Sequence, residues 1–211
     1  MNLYASVLRL DRADIRTLKV TDIYSLHRVV YSLFDDVRSE SQKRASFPSG
    51  IQWVDKGGDH IARRILILSD RKPHAVTDLN LESKQIPSGF LTHHYYRFDV
   101  TICPTKRDSI NHKLLPIKGR EAIATWFVER ASTTWGFNVD ARYLQVDNVN
   151  VVSFKAQDQH LITQQQATLQ GSLSVIDPLK FQRSFCQGIG RARGFGCGLL
   201  QIVPIAEQLL F

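Results

Sequence analysis

The chain has 211 residues, 43% of them hydrophobic, which suits one large or two small globular domains and excludes a disordered chain. Lys and Arg number 27 against 20 Asp and Glu, and the resulting charge of +7 favours a polyanionic partner such as nucleic acid. No stretch approaches the roughly 18 apolar residues of a membrane span, MNLYASVLRLDRAD lacks the apolar centre of a signal peptide, and the three cysteines have no C-x-x-C spacing, so a soluble cytoplasmic protein with no membrane partner and no zinc site is expected.

Alternation predicts a first strand over residues 3–10. Ile23, Leu26, Val30, Leu33, Phe34 and Val37 then recur at helical spacing over residues 23–37, with Thr21 or Asp22 as the cap. FPSGIQWV and ARRILILSD read as two strands around the Gly57-Gly58 turn signal, and residues 71–89 read as polar and turn-rich, closing a first unit near residue 90. A second cycle opens on the strand HHYYRFDVTIC and crosses the polar stretch TKRDSINHK. It continues as a helix over residues 120–135, with Ile123, Trp126, Phe127, Ala131 and Trp135 on its buried side. Two β-rich segments, 143–154 and 167–176, follow around the polar tip KAQDQHLITQQQ. Asp177-Pro178 then starts a short helix, and a last strand spans residues 199–205.

The order strand, helix, strand, strand, helix, strand is the split βαβ unit. It is clear in the second half and present with a degenerate second helix in the first. The expectation is an α+β protein with tandem ferredoxin-like (RRM-like) βαββαβ domains, residues 1–90 carrying the first helix and residues 91–211 a glycine-rich loop.

That loop, CQGIGRARGFGCGLL, places glycines at 188, 190, 194, 196 and 198 around Arg191 and Arg193. Glycines let backbone N–H groups converge on an anion, and arginines add bidentate donors. A Gly-rich turn serving packing alone is the other reading. On the helix over residues 23–37, at ~100° per residue, Tyr24, His27 and Tyr31 share one flank. An imidazole there serves as general acid or base near neutral pH, with a phenol to orient or exchange a proton. An interfacial histidine among aromatics is the alternative. RNA cleavage by the internal 2′-hydroxyl needs alignment, proton movement and charge stabilisation, and no metal or cofactor. Further basic candidates for phosphate contact are Arg38, Lys43, Arg44, Lys106, Arg107, Lys113, Lys118, Arg120 and Lys155, the last at a tip with Gln157 and Gln159. His60, His74, His112 and His160 read as solvated, and His93-His94 on a strand point to opposite faces, a poor metal pair. No H-E-x-x-H, P-loop or G-x-S-x-G motif occurs.

QGIGRARGFGCGLLQIVPI is similar to the C-terminal glycine-rich motif G-I-G-x-[AG]-[KR]-x-x-G-x-G-L-L. IYSLHRVVYSLF and YYRFDVTICPTKRD also look like segments of the same family, with Cys103 replacing an asparagine. Over essentially its whole length the chain thus resembles the CasE-type CRISPR-associated endoribonucleases, RAMP-superfamily proteins of subtype I-E systems. The resemblance implies binding of a CRISPR repeat hairpin in precursor RNA and metal-independent cleavage at the 3′ base of the stem, leaving a 2′,3′-cyclic phosphate. It also implies retention of the mature guide and assembly with other Cascade subunits. By position it makes His27 the catalytic acid/base and Tyr24 its helper. Some members carry a lysine shortly after that histidine; here Val30, Tyr31 and Ser32 stand there, so Arg28, Arg38 and Lys43 are alternative cations. The competing readings are a catalytically silent RNA-binding subunit and a metal-dependent phosphohydrolase built on His93 and His94.

Overall fold

The computed structural model describes residues 2–45, 47–59, 61–155 and 160–205. His60, Gln157 and Gln159, named above, lie outside the described residues.

The first half runs β1 (Tyr4–Leu10), α1 (Arg12–Thr17), α2 (Ile23–Ser32), α3 (Glu40–Arg44), β2 (Ile51–Gly58), β3 (Arg63–Ser69) and β4 (Asn80–Gln85). The strands form one antiparallel sheet in the order β2-β3-β1-β4. That is the strand arrangement of the split βαβ unit. Because side chains alternate along a strand, Leu8, Ile65, Ile67, Ile51 and Trp53 share the face that buries Leu26 and Val30 of α2 and Leu33 just beyond it. The opposite face carries Val54 and Leu68 into a core shared with the second half.

The second half runs β5 (Tyr95–Ile102), β6 (Thr105–Arg107), β7 (Leu114–Pro116), α4 (Arg120–Arg130), β8 (Phe137–Val139), β9 (Gln145–Lys155), β10 (Leu161–Val175), α5 (Pro178–Gln187) and β11 (Gln201–Pro204). The main path is β11-β5-β10-β8, with β9 pairing β10 over residues 161–170 while β8 pairs it over 173–175. One interrupted strand, β8 then β9, therefore fills the place of the unit's second strand, and the α+β tandem ferredoxin-like fold holds in both halves. Phe127, Phe137, Phe181 and Trp135 form the aromatic centre of this half.

Several local expectations are corrected. Helix α2 stops at Ser32 and does not continue to residue 37. Its exit is held elsewhere: the Leu33 carbonyl accepts from His74 N–H at 2.9 Å, and the Asp35 carbonyl accepts from the Arg71 guanidinium at 2.7 Å. Residues 71–89 contain the edge strand β4, whose largely polar sequence masks its pairing with β1. The polar stretch after β5 includes β6 of a two-stranded hairpin. The glutamines at 164–166 belong to β10, not to a loop. The short polar helices α1 and α3 were not anticipated.

Candidate active site

Asp22 caps α2, accepting from Ser25 N–H at 2.8 Å, and its apolar stripe fixes the helix on the first sheet. That orientation leaves Tyr24, His27 and Tyr31 on the flank facing the glycine-rich loop of the second half. The His27 ring lies 4.1 Å from the Tyr31 ring, 5.4 Å from that of Phe195 and 6.1 Å, stacked, from that of Tyr24. Its Nδ1 is 2.6 Å from the Gly194 carbonyl oxygen, which also accepts from Trp53 Nε1 at 3.1 Å. A carbonyl only accepts, so Nδ1 carries the proton and the neutral ring presents Nε2 as a base.

Burial pushes the His27 pKa below the ordinary 6.5, and the Gly194 hydrogen bond opposes that shift without cancelling it. With the folded value depressed, the stability that neutral His27 contributes is present above the ordinary pKa and lost as pH falls through the folded one. An NMR titration of the His27 ring is expected to show a midpoint below 6.5; a midpoint above it would contradict this environment.

The loop is shaped by its glycines at two kinds of position. Gly198 has φ +85°, and a Cβ there would sit 2.4 Å from the Ile189 carbonyl oxygen, where Ile189 N–H in turn donates to the Gly198 carbonyl at 2.9 Å. Gly190 has φ +72° but faces open space. Gly188 and Gly196 pack on Gln52 and Trp53, so packing explains much of the glycine content, as the Gly-rich-turn reading holds. Yet among the described residues the backbone N–H groups of residues 190–192, ahead of the 3-10 turn Arg193–Phe195, donate no hydrogen bond within the chain, the first requirement of an anion nest.

His27 and loop residues 190–194, Arg191 and Arg193 among them, line one cavity of about 740 Å³, together with Arg38 and Lys43. Among the described residues no carboxylate lines it. The four cations are not equivalent. Arg38 is bound to Asp36 at 2.9 Å, which holds that carboxyl down to about 2, and Lys43 is bound to Glu40 at 2.7 Å. Arg193 donates to the Gln187 carbonyl at 2.8 Å, tying the loop together. Arg191 is exposed and has no hydrogen bond or ion pair among the described residues.

Of the other residues singled out from sequence, Tyr24 touches His27 but does not line the cavity, while Tyr31 does, its hydroxyl 2.9 Å from Ser49 Oγ. Gly188 and Gly196 flank the cavity without lining it. Arg44, Lys113, Lys155 and Arg28 are exposed and lie outside its lining. Lys155 also follows Phe154, which packs on Phe195 at 4.8 Å, so strand alternation turns the lysine to the opposite face. His93 and His94 pack edge-on against different tyrosines, Tyr96 and Tyr95, and belong to no group of metal-ligating side chains among the described residues. Trp53 and the Gly194 carbonyl, which fix the tautomer of His27, carried no sequence signal beyond the apolar alternation of β2.

No helix among the described residues is long and apolar enough to cross a membrane. No curated protein matches the chain. Solved structures do. A CRISPR endoribonuclease Cse3 bound to a 19-nucleotide RNA superposes with a TM-score of 0.80 at 17% identity, covering 97% of this chain and 100% of that one. The CRISPR-associated protein Cas6e of Escherichia coli K-12 gives 0.63 at 20% identity, with 96% and 100% covered. A chain of a CRISPR RNA-guided surveillance complex gives 0.67 at 17% identity, with 96% and 100% covered. At these identities the likeness establishes the fold. The family model for the CRISPR associated proteins matches residues 3–204, nearly the whole sequence, and the chain belongs to that family.

Proposed function

We propose that the chain is a CRISPR precursor-RNA processing endoribonuclease that binds a repeat stem-loop and cuts at the 3′ base of the stem without a metal. The observation that carries the reading is His27, held by the Gly194 carbonyl with Nε2 available, in a cavity edged by unpaired loop N–H groups and Arg191. In the step so assigned, Nε2 of His27 takes the proton of the ribose 2′-hydroxyl. The 2′-oxygen bonds to the adjacent phosphorus while the bond from phosphorus to the 5′-oxygen breaks. Loop N–H groups and Arg191 receive the charge growing on the phosphoryl oxygens. Tyr31, engaged with Ser49, orients the imidazole ring, Tyr24 stacked beside His27 is its helper, and the leaving 5′-oxygen takes its proton from solvent.

The reading extends to assembly. The likeness to a chain of an RNA-guided surveillance complex supports a place among other Cascade subunits after processing, and cysteines without C-x-x-C spacing suit the reducing cytoplasm. Residues 1–90 and 91–211 are assigned as the two domains, each supplying one side of the cavity.

The test is incubation of the purified protein with a labelled stem-loop of its own genome's CRISPR repeat, in EDTA. A single cut at the base of the stem is expected. Tight binding without a cut would favour the rival reading, a silent RNA-binding subunit. Within the same assay Arg191→Ala is expected to weaken RNA binding and to reduce the salt dependence of log K by about one phosphate contact; an unchanged salt slope would remove Arg191 from the phosphate site.

A further inference from the structure

A second cavity, of about 590 Å³, opens at the N-terminal end of α2. It lies beyond the glycine-rich loop from the His27 cavity: Gly194 lines the first and Gly196 the second. Ile23, on its wall, precedes His27 by four residues, or about 6 Å along the helix axis. That spacing is within reach of the nucleotide next to a phosphate held at His27.

The chemistry of the second cavity differs from that of the first. Its lining includes one arginine, Arg63, and that guanidinium is bound to Asp55, which also lines it; Asp22, the α2 cap, adds a second carboxylate. Such walls repel a phosphate and accept a neutral polar group. Asn148 and Asn150, two residues apart on one face of β9, line it with exposed amides that have no hydrogen-bond partner among the described residues. Across the strand pair, Gln164, behind the cavity lining, stands opposite Val152 of the wall with a buried Nε2 that has no acceptor among the described residues. Side-chain amides offer a donor and an acceptor side by side, the pattern that reads the edge of a base, and unpaired RNA bases are recognised in this way.

We propose that this cavity receives an unpaired nucleobase, from a nucleotide next to the phosphate at His27, and that Asn148 and Asn150 read its edge. The inference rests on the endoribonuclease reading of the His27 cavity. It makes the pair of cavities a divided site, with the basic one for backbone and the amide-lined one for sequence.

The test is a binding cycle on the repeat stem-loop, made 2′-deoxy at the mapped scissile nucleotide so that it stays intact. A set of such RNAs lacks one base at a time at the unpaired positions flanking the scissile phosphate. Asn148→Ala/Asn150→Ala is expected to weaken binding of the intact sequence about tenfold, one abasic RNA to weaken wild-type binding by the same factor, and the variant to lose nothing more on that RNA. Equal affinity of variant and wild type for the intact sequence, or a variant loss that persists undiminished on every abasic RNA, overturns the proposal. Failure of the wild type to cut the all-ribose RNA would instead overturn the endoribonuclease reading, and the binding cycle would still report on the cavity.

Discussion

His27→Ala is expected to slow repeat-RNA cleavage by about two to four orders of magnitude, the usual worth of a positioned acid or base, with RNA affinity little changed. The cause is specific. The Gly194 carbonyl fixes the proton on Nδ1, so the ring offers Nε2 to the 2′-hydroxyl, and partial burial keeps the ring neutral at physiological pH. Alanine removes the base and leaves the phosphate contacts, because Arg191 and the loop N–H groups do not depend on the imidazole; Trp53 still donates to the Gly194 carbonyl and holds the loop. Single-turnover rates and filter binding on the same RNA separate the two properties. A variant that cuts within tenfold of the wild-type rate would take the chemistry away from His27.

Gly198→Ala carries the largest expected cost in stability. Its φ of +85° disfavours any side chain, and a new Cβ would stand 2.4 Å from the Ile189 oxygen and 3.0 Å from Arg193 Cγ. The left-handed conformation costs about 1–2 kcal/mol and the clash adds to it, giving about 3 kcal/mol in all. For a chain of this size the melting temperature falls by about 6–12 °C. The loop that yields is the one that presents the Gly194 carbonyl, so activity falls beyond the loss of folded protein. Gly190→Ala is the control: its φ is +72° but nothing lies within 4 Å of a Cβ, so only the conformational cost applies. Thermal unfolding of the two variants side by side checks this, and equal shifts would contradict it.

The fold was legible where burial is one-sided. Alternation in β1 and β5 and the stripes of α2 and α4 each bury one face, and the continuous apolar run of β3 marks a strand buried on both; the sequence records these directly. It fails where pairing is made by backbone alone. Strand β4, reading NLESKQ, is an edge strand with a solvated face, and its hydrogen bonds to β1 leave little trace in side-chain hydrophobicity. The early end of α2 was equally hidden, since Leu33 and Phe34 remain buried after the helix has stopped.

The site divides in the same way. His27 and the glycine-rich loop were marked by composition and spacing, but their meeting across 167 residues of sequence is a matter of tertiary packing, made through a backbone carbonyl that no side-chain pattern encodes. Arg38 and Lys43 read as free phosphate contacts, yet Asp36 and Glu40 lie close enough in the chain to occupy them. Arg191 and Arg193, two residues apart, differ just as sharply, one exposed and unpaired among the described residues and the other spent on the Gln187 carbonyl.

The proposed cleavage uses the 2′-hydroxyl as nucleophile, and the end left on the upstream fragment reports it. After incubation of wild-type protein with the repeat stem-loop in EDTA, mass spectrometry of that fragment is expected to find a 2′,3′-cyclic phosphate or its opened form, and an RNA with a single 2′-deoxyribose at the scissile position is expected to bind and remain whole. A fragment ending in a 3′-hydroxyl, or a cut at the same position in the deoxy RNA, would contradict it.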